Sequence, residues 1–110
     1  MSLYADYLKE RTEDKILELD FGFATYRHIH AEKTTYIVDI YVVPKFRKEG
    51  LASQMANEIA NEAKEIGHTK LLGSVVPSTK GSTNSLKALL AYGMNLKGSG
   101  NDFILFEKEI

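Results

Sequence analysis

Residues 34–43, Thr-Thr-Tyr-Ile-Val-Asp-Ile-Tyr-Val-Val, are dense in β-branched and aromatic side chains and apolar on both faces except at Asp39. Such a run predicts a central strand, because neither face is suited to open water. Pro44 cannot continue a ladder and stops it. Residues 45–50 then form a basic connector ending in Gly50. After it Leu51, Met55, Ile59, Ala63 and Ile66 recur at helical spacing, with Ala52, Ala56 and Ala60 beside them. Gly67 stands just past the predicted helix end. A central strand leading through a glycine turn into a long amphipathic helix points to a sheet with helices packed on it.

The flanking segments complete that picture. Leu3, Tyr4, Tyr7 and Leu8 have the spacing of a short amphipathic helix ending near Thr12, and this stripe is read as core-facing. Should it outrun the core, it becomes an interface. Leu17, Leu19 and Phe21 alternate with Glu18 and Asp20 as a half-buried strand does, Gly22 permits a bend, and residues 23–30 give a second strand. Beyond the long helix, 71–76 read as a short apolar strand closed by Pro77. Leu86, Leu89 and Leu90 share one face of a helix that Gly93 ends. Residues 94–96 read as a short strand, Gly98-Ser99-Gly100 as a turn, and 103–107 as the last strand. The expected class is α/β (α+β), a mixed sheet with helices on it.

Composition bounds the function. The 110 residues, 44% apolar and 26% charged, fit one domain over 1–110. Zero cysteines exclude a disulfide scaffold and a cysteine nucleophile. The formal charge of −1 is wrong for a chain whose main work is nucleic-acid binding. No apolar run approaches the ~18 residues of a membrane span and the start lacks a basic signal segment, so the expected location is cytoplasmic. His28 and His30 lie on one side of a strand and could hold a metal or act as a base. No third ligand follows at recognisable spacing, so they are read as exposed and no metal is expected. His68 reads as a loop residue or as a favourable charge near the helix terminus.

Chemistry concentrates between the central strand and the long helix. A glycine there lets backbone approach a ligand closely, and the first amides of a helix have no partner within it, so they favour an anion such as phosphate. The dipole contributes about 0.3 to 2 kcal/mol, and Arg47 or Lys48 adds charge-assisted contacts. Val42-Val43-Pro44 followed by Arg47-Lys48-Glu49-Gly50-Leu51-Ala52 resembles the strand end and the (Gln/Arg)-x-x-Gly-x-(Gly/Ala) pyrophosphate loop of the GCN5-related N-acetyltransferase (GNAT) family. The resemblance covers about residues 34–110.

It implies a mostly antiparallel mixed sheet flanked by helices, with a shortened N-terminal region. It implies acetyl-CoA as co-substrate, its pantetheine arm on Tyr41, Val42 and Val43. Its phosphates would lie on Arg47, Lys48, Glu49, Gly50, Leu51, Ala52 and Ser53. Asn84 would reach the cofactor from a shifted register. Where the family has a helical tyrosine that protonates the departing thiolate, this chain has Leu89; Tyr92 is then the candidate acid. Asp39, the lone carboxylate of the central strand, is the candidate base, or else a solvated or salt-bridged residue. The expected activity is acetyl transfer to a primary amine by direct attack in a ternary complex. Few residues precede the first strand, so the acceptor pocket is expected to be open. It would suit a protein, peptide or other exposed amine, or be completed in a homodimer. The alternative is a non-catalytic CoA-binding or interaction domain.

Overall fold

The computed structural model describes residues 3–47, 49–78, 80 and 82–110, and among these the side chains of all but 5, 8, 9, 11 and 82–85. The elements are α1 (Leu3–Arg11), β1 (Lys15–Leu19), β2 (Gly22–Ile29), β3 (Thr34–Val42), α2 (Leu51–Glu65), β4 (Lys70–Val75), α3 (Ser82–Tyr92), β5 (Asn95–Gly100) and β6 (Phe103–Glu109). Short 3-10 turns occupy His30–Glu32 and Pro44–Phe46. The six strands form one sheet in the order β1-β2-β3-β4-β6-β5. Only β3 and β4 are parallel, which requires a crossover between them, and α2 supplies it.

Helix α2 lays Met55, Ala56, Ile59, Ala60 and Ala63 against one face of the sheet. There they meet Ala24, Tyr26, Ile37, Leu71, Val75 and Phe106. Met55, Ile59 and Leu71 are fully buried, each contributing about 1.5–3 kcal/mol of transfer free energy. Both α2 and α3 stop at a left-handed glycine. After α2, Gly67 N–H donates to Lys64 O and His68 N–H to Ala63 O. After α3, Gly93 N–H donates to Leu90 O and Met94 N–H to Leu89 O. These paired bonds are Schellman closures, and Met94, buried to 2% exposure, anchors the second.

The opposite face carries α1, whose Tyr4 ring meets Phe23 edge-on at 5.6 Å. Contrary to the spacing, Leu3, Tyr4 and Tyr7 of the α1 stripe are exposed, Leu3 to 88% and Tyr7 to 55%, while the Leu8 side chain lies outside the described residues. Helix α1, two and a half turns long, lies over the outer strands, beside β1 and Phe23 of β2. The second departure is at Gly98-Ser99-Gly100, which is strand rather than turn. The reversal falls at residues 101 and 102, where Asp102 adopts positive φ and accepts bonds from Ser78 N–H and the Ser78 hydroxyl.

The histidines also depart from expectation. His28 is buried in side chain rather than exposed, and all three histidines meet around the wholly buried Thr35. The Thr35 hydroxyl lies 2.8 Å from His28 Nδ1 and 2.9 Å from His68 Nδ1, and His68 Nε2 lies 3.2 Å from His30 Nδ1. His28 Nε2 in turn lies 3.0 Å from Glu62 Oε2. Burial first, then the neighbouring His28 and His30, holds His68 below the usual imidazole range. Burial works against a charge on Glu62, yet bonds from Tyr26 and His28 and the nearby Lys15 hold its carboxyl below the ordinary range.

Both shifts act in the same sense. An unfolded His68 takes up a proton that the folded one refuses, so its contribution is full above pH 6.5 and is lost as pH falls. Glu62 contributes fully above 4.5 and loses its part below that. The melting temperature is therefore expected to fall on acidification from pH 7, starting near 6.5. An acid limb beginning only below about 4.5, followed by circular dichroism, would exclude the part assigned to His68.

Candidate functional site

The β3–β4 ladder is short. Thr34↔Lys70 through Ile37↔Gly73 are paired, and beyond them the two strands continue to Val42 and Val75 without pairing. At the point of parting β3 is irregular: Thr25 pairs with Asp39 and Tyr26 with Ile37, leaving Val38 as the extra residue of a bulge. From there the edge of β3 turned away from β2 is unpaired, and a groove of about 850 Å³ opens between the strands.

Residues 37–42 of β3 and 73–76 on β4 and just beyond form its strand walls, and Ala88, Leu89 and Ala91 of α3 close it on the helix side. Its far end is the start of α2, where Gly50, Leu51, Ala52 and Ser53 line it. Gly50 sits at φ 75°, a left-handed conformation that glycine adopts without strain. Gln54 N–H is bonded to Gly50 O, so α2's ladder starts there and the amides of 51, 52 and 53 have no helical partner. Phe46 and Arg47 complete this end. The Arg47 Nε–H donates to Val42 O at 2.9 Å and its guanidinium lies over the Tyr41 ring, tying the connector to the strand end. Lys80 and Lys87 add two exposed cations on the other bank. Among the described residues, unpaired amides and three cations surround one groove, a chemistry that suits an anion beside a free strand edge.

Of the residues singled out from the sequence, Asp39, Tyr41, Val42, Arg47, Gly50, Leu51, Ala52 and Ser53 line this groove together. Asp39 is exposed, on the sheet face opposite α2, beside Tyr41. Lys48 and the Asn84 side chain lie outside the described residues. Val43, Glu49 and Tyr92 are not among the lining residues. Val43 N–H donates to Phe21 O and its carbonyl accepts from Phe46 N–H, so both backbone groups are already used. The Tyr92 hydroxyl lies 3.5 Å from Asn57 Oδ1, and burial raises its pKa.

Lys80, Lys87 and Ser74 were not singled out. Ser74 could have been, as the lone hydroxyl in Leu71-Leu72-Gly73-Ser74-Val75-Val76. Its Oγ lies 2.5 Å from the Tyr36 hydroxyl, a contact that no sequence spacing announces.

The family model described as Acetyltransferase (GNAT) family matches residues 7–90. The chain belongs to the GNAT family. Among solved structures, the fold is similar to that of PaiA N-acetyltransferase from Thermoplasma acidophilum, in complex with coenzyme A. The TM-score is 0.77 and the identity 13%, over 96% of this chain and 66% of that one. The microcin C7 self-immunity acetyltransferase MccE, in complex with acetyl-CoA and AMP, gives a TM-score of 0.76 at 18% identity, over 97% of this chain and 67% of that one. A GNAT family acetyltransferase from Elizabethkingia anophelis with acetyl-CoA bound gives 0.71 at 20% identity, over 98% and 82%. The chain thus spans just under two thirds of the Thermoplasma protein's length. No curated protein matches in sequence. Among the described residues no group of three or more His, Cys, Asp or Glu could hold a metal ion, and no helix is long and apolar enough to cross a membrane.

Proposed function

We propose that this chain, a single domain over its 110 residues, is an N-acetyltransferase that takes acetyl-CoA as co-substrate and passes the acetyl group directly to a primary amine. The observation that carries the reading is the parting of β3 from β4 after Ile37↔Gly73 directly beside the unpaired first amides of α2. Diphosphate fits the amides and cations at Gly50–Ser53, Arg47, Lys80 and Lys87. The amide-bearing arm fits the free edge of β3 along Tyr41 and Val42, as an added strand would. The thioester then reaches the bulge at Val38, roughly 13 Å back along the strand from Val42. Asp39, exposed there, takes the proton from the attacking amine.

The acceptor side is the sheet face that α1 covers only in part, which suits an exposed amine on a protein, peptide or comparable molecule. The exposed Leu3 and Tyr7 of α1 support a second copy of the chain closing that side, which sedimentation as a monomer at micromolar concentration would remove. The presence of Leu89 in the groove, with no α3 tyrosine beside it, favours the second reading, a domain that binds CoA without turnover.

Calorimetry and thiol release separate the two readings. At 100 times its Kd, acetyl-CoA is expected to stabilise the chain by about 2.7 kcal/mol. A panel of amines is expected to include one that releases CoA thiol. Binding with no release on any acceptor favours the second reading, and a melting temperature unmoved by millimolar acetyl-CoA ends both.

A further inference from the structure

Acetyl transfer needs a proton for the departing sulfur, and among the described side chains of the helix wall Ala88, Leu89 and Ala91 have none to give, Lys87 is exposed, and the Tyr92 hydroxyl is turned to Asn57. On the strand walls the situation differs. Tyr36 pairs with Leu72 across the β3–β4 ladder, so both stand on the sheet face opposite α2, and Ser74, two residues on, stands on that face too. Ser74 is the second residue of β4 past Leu72 and the first beyond the last pair, so its hydroxyl is at the apex of the gap. It lines the groove there while bonded to the Tyr36 hydroxyl at 2.5 Å. Asp39 stands on the same face of the opposite bank. Lys80 and Lys87, the other proton carriers of the lining, are exposed on the loop and helix bank.

We infer that Ser74 is the catalytic residue that hands a proton to the departing thiolate, and that Tyr36 is the positioning residue that replenishes it. The inference rests on the proposed acetyl transfer. As the amine nitrogen bonds to the carbonyl carbon, the carbon–sulfur bond breaks and its electron pair stays on sulfur. Sulfur takes the Ser74 proton and Ser74 takes that of Tyr36. The proton that the amine gives up to Asp39 returns through solvent to the phenolate, so none is gained or lost overall. A serine hydroxyl alone is too weak an acid for a thiolate, whereas a phenol is close to a thiol in strength, so the pair acts where Ser74 by itself would not. Charged groups flank Tyr36 and its neighbours on both sides, among them Lys70, the partner of Thr34 on β4. Arg27, its partner on β2, is held by Asp14 at 2.6 Å and supports a transient phenolate. Glu107, the partner of Leu72 on β6, is neutralised by Lys97 at 3.1 Å.

The test uses the full chain and the amine that the unsubstituted chain acetylates best. Ser74→Ala and Tyr36→Phe are each expected to lower kcat about 100-fold with the Kd for acetyl-CoA within twofold. The double variant is expected to be no slower than the worse single one, as for groups acting as a unit. Ser74→Thr, which keeps the hydroxyl, is expected to retain most activity. Both deletions should abolish the descending alkaline limb of kcat, which a packing defect would not do. Unchanged kcat in either deletion, or equal losses in Ser74→Ala and Ser74→Thr, overturns the relay while leaving acetyl transfer standing. An unsubstituted chain that binds acetyl-CoA and releases no thiol with any amine overturns the transfer itself, and the relay with it.

Discussion

Replacing Asp39 by asparagine is expected to lower kcat at pH 7 by about 10²- to 10⁴-fold while leaving the Kd for acetyl-CoA within a factor of about two. The size follows from the acceptor. A free alkylamine is protonated to about 3.4 pKa units above neutrality, so presenting it in its neutral form costs about 4.6 kcal/mol, and a base at the attack point removes part of that barrier. Asp39 is exposed at the groove, two residues from Tyr41 and next to the bulge at Val38, and no other carboxylate lines the groove among the described residues. The substitution keeps shape and loses charge, so folding should be little changed. Steady-state rates between about pH 6 and 9 give the check: a profile that overlays that of the parent chain removes Asp39 as the base.

The second large effect concerns stability. Gly22→Ala is expected to destabilise the chain by at least the usual 1–3 kcal/mol of an overpacked site, a drop of about 4–8 °C in Tm for each kcal/mol. A Cβ at Gly22 would stand 2.0 Å from Tyr41 O and 2.9 Å from Val42 Cα. These are backbone atoms that cannot rotate aside. They also belong to the segment of β3 proposed to hold the pantetheine arm, so acetyl-CoA should bind more weakly as well. Gly98→Ala is the control, because nothing lies within 4 Å of its Cβ and its φ is not positive, and it should change stability by less than about 0.5 kcal/mol. Equal melting temperatures for the two variants would overturn the clash assigned to Gly22.

The long helix, its closing glycine, the central strand and the glycine turn between strand and helix were all legible in the sequence, because each depends on near neighbours. Periodicity places Met55, Ile59 and Ala63 on one face, and Gly67 needs only its own φ to end the helix. What depends on distant partners was not legible. The bulge at Val38 exists only relative to Thr25 and Tyr26 on β2. The burial of His28 follows from Glu62 and Thr35, 34 and 7 residues away. The α1 stripe has the right spacing for a core, but spacing cannot say how much sheet lies beneath it. At the site, Gly50 and Arg47 could be named from local pattern, while Ser74 acquires a role only from Tyr36, 38 residues earlier.

The sheet is best regarded as two antiparallel three-stranded panels, β1-β2-β3 and β4-β6-β5, sewn together by a seam only four residue pairs long. Helix α2, the crossover from β3 to β4, packs on β2 and β3 and shares one buried cluster with Leu71, Val75 and Phe106 of the other panel. A molecule built this way keeps each panel rigid and concentrates its compliance at one line. A ligand pairing with the free edge of β3 would lengthen the stitching at the place where it is weakest.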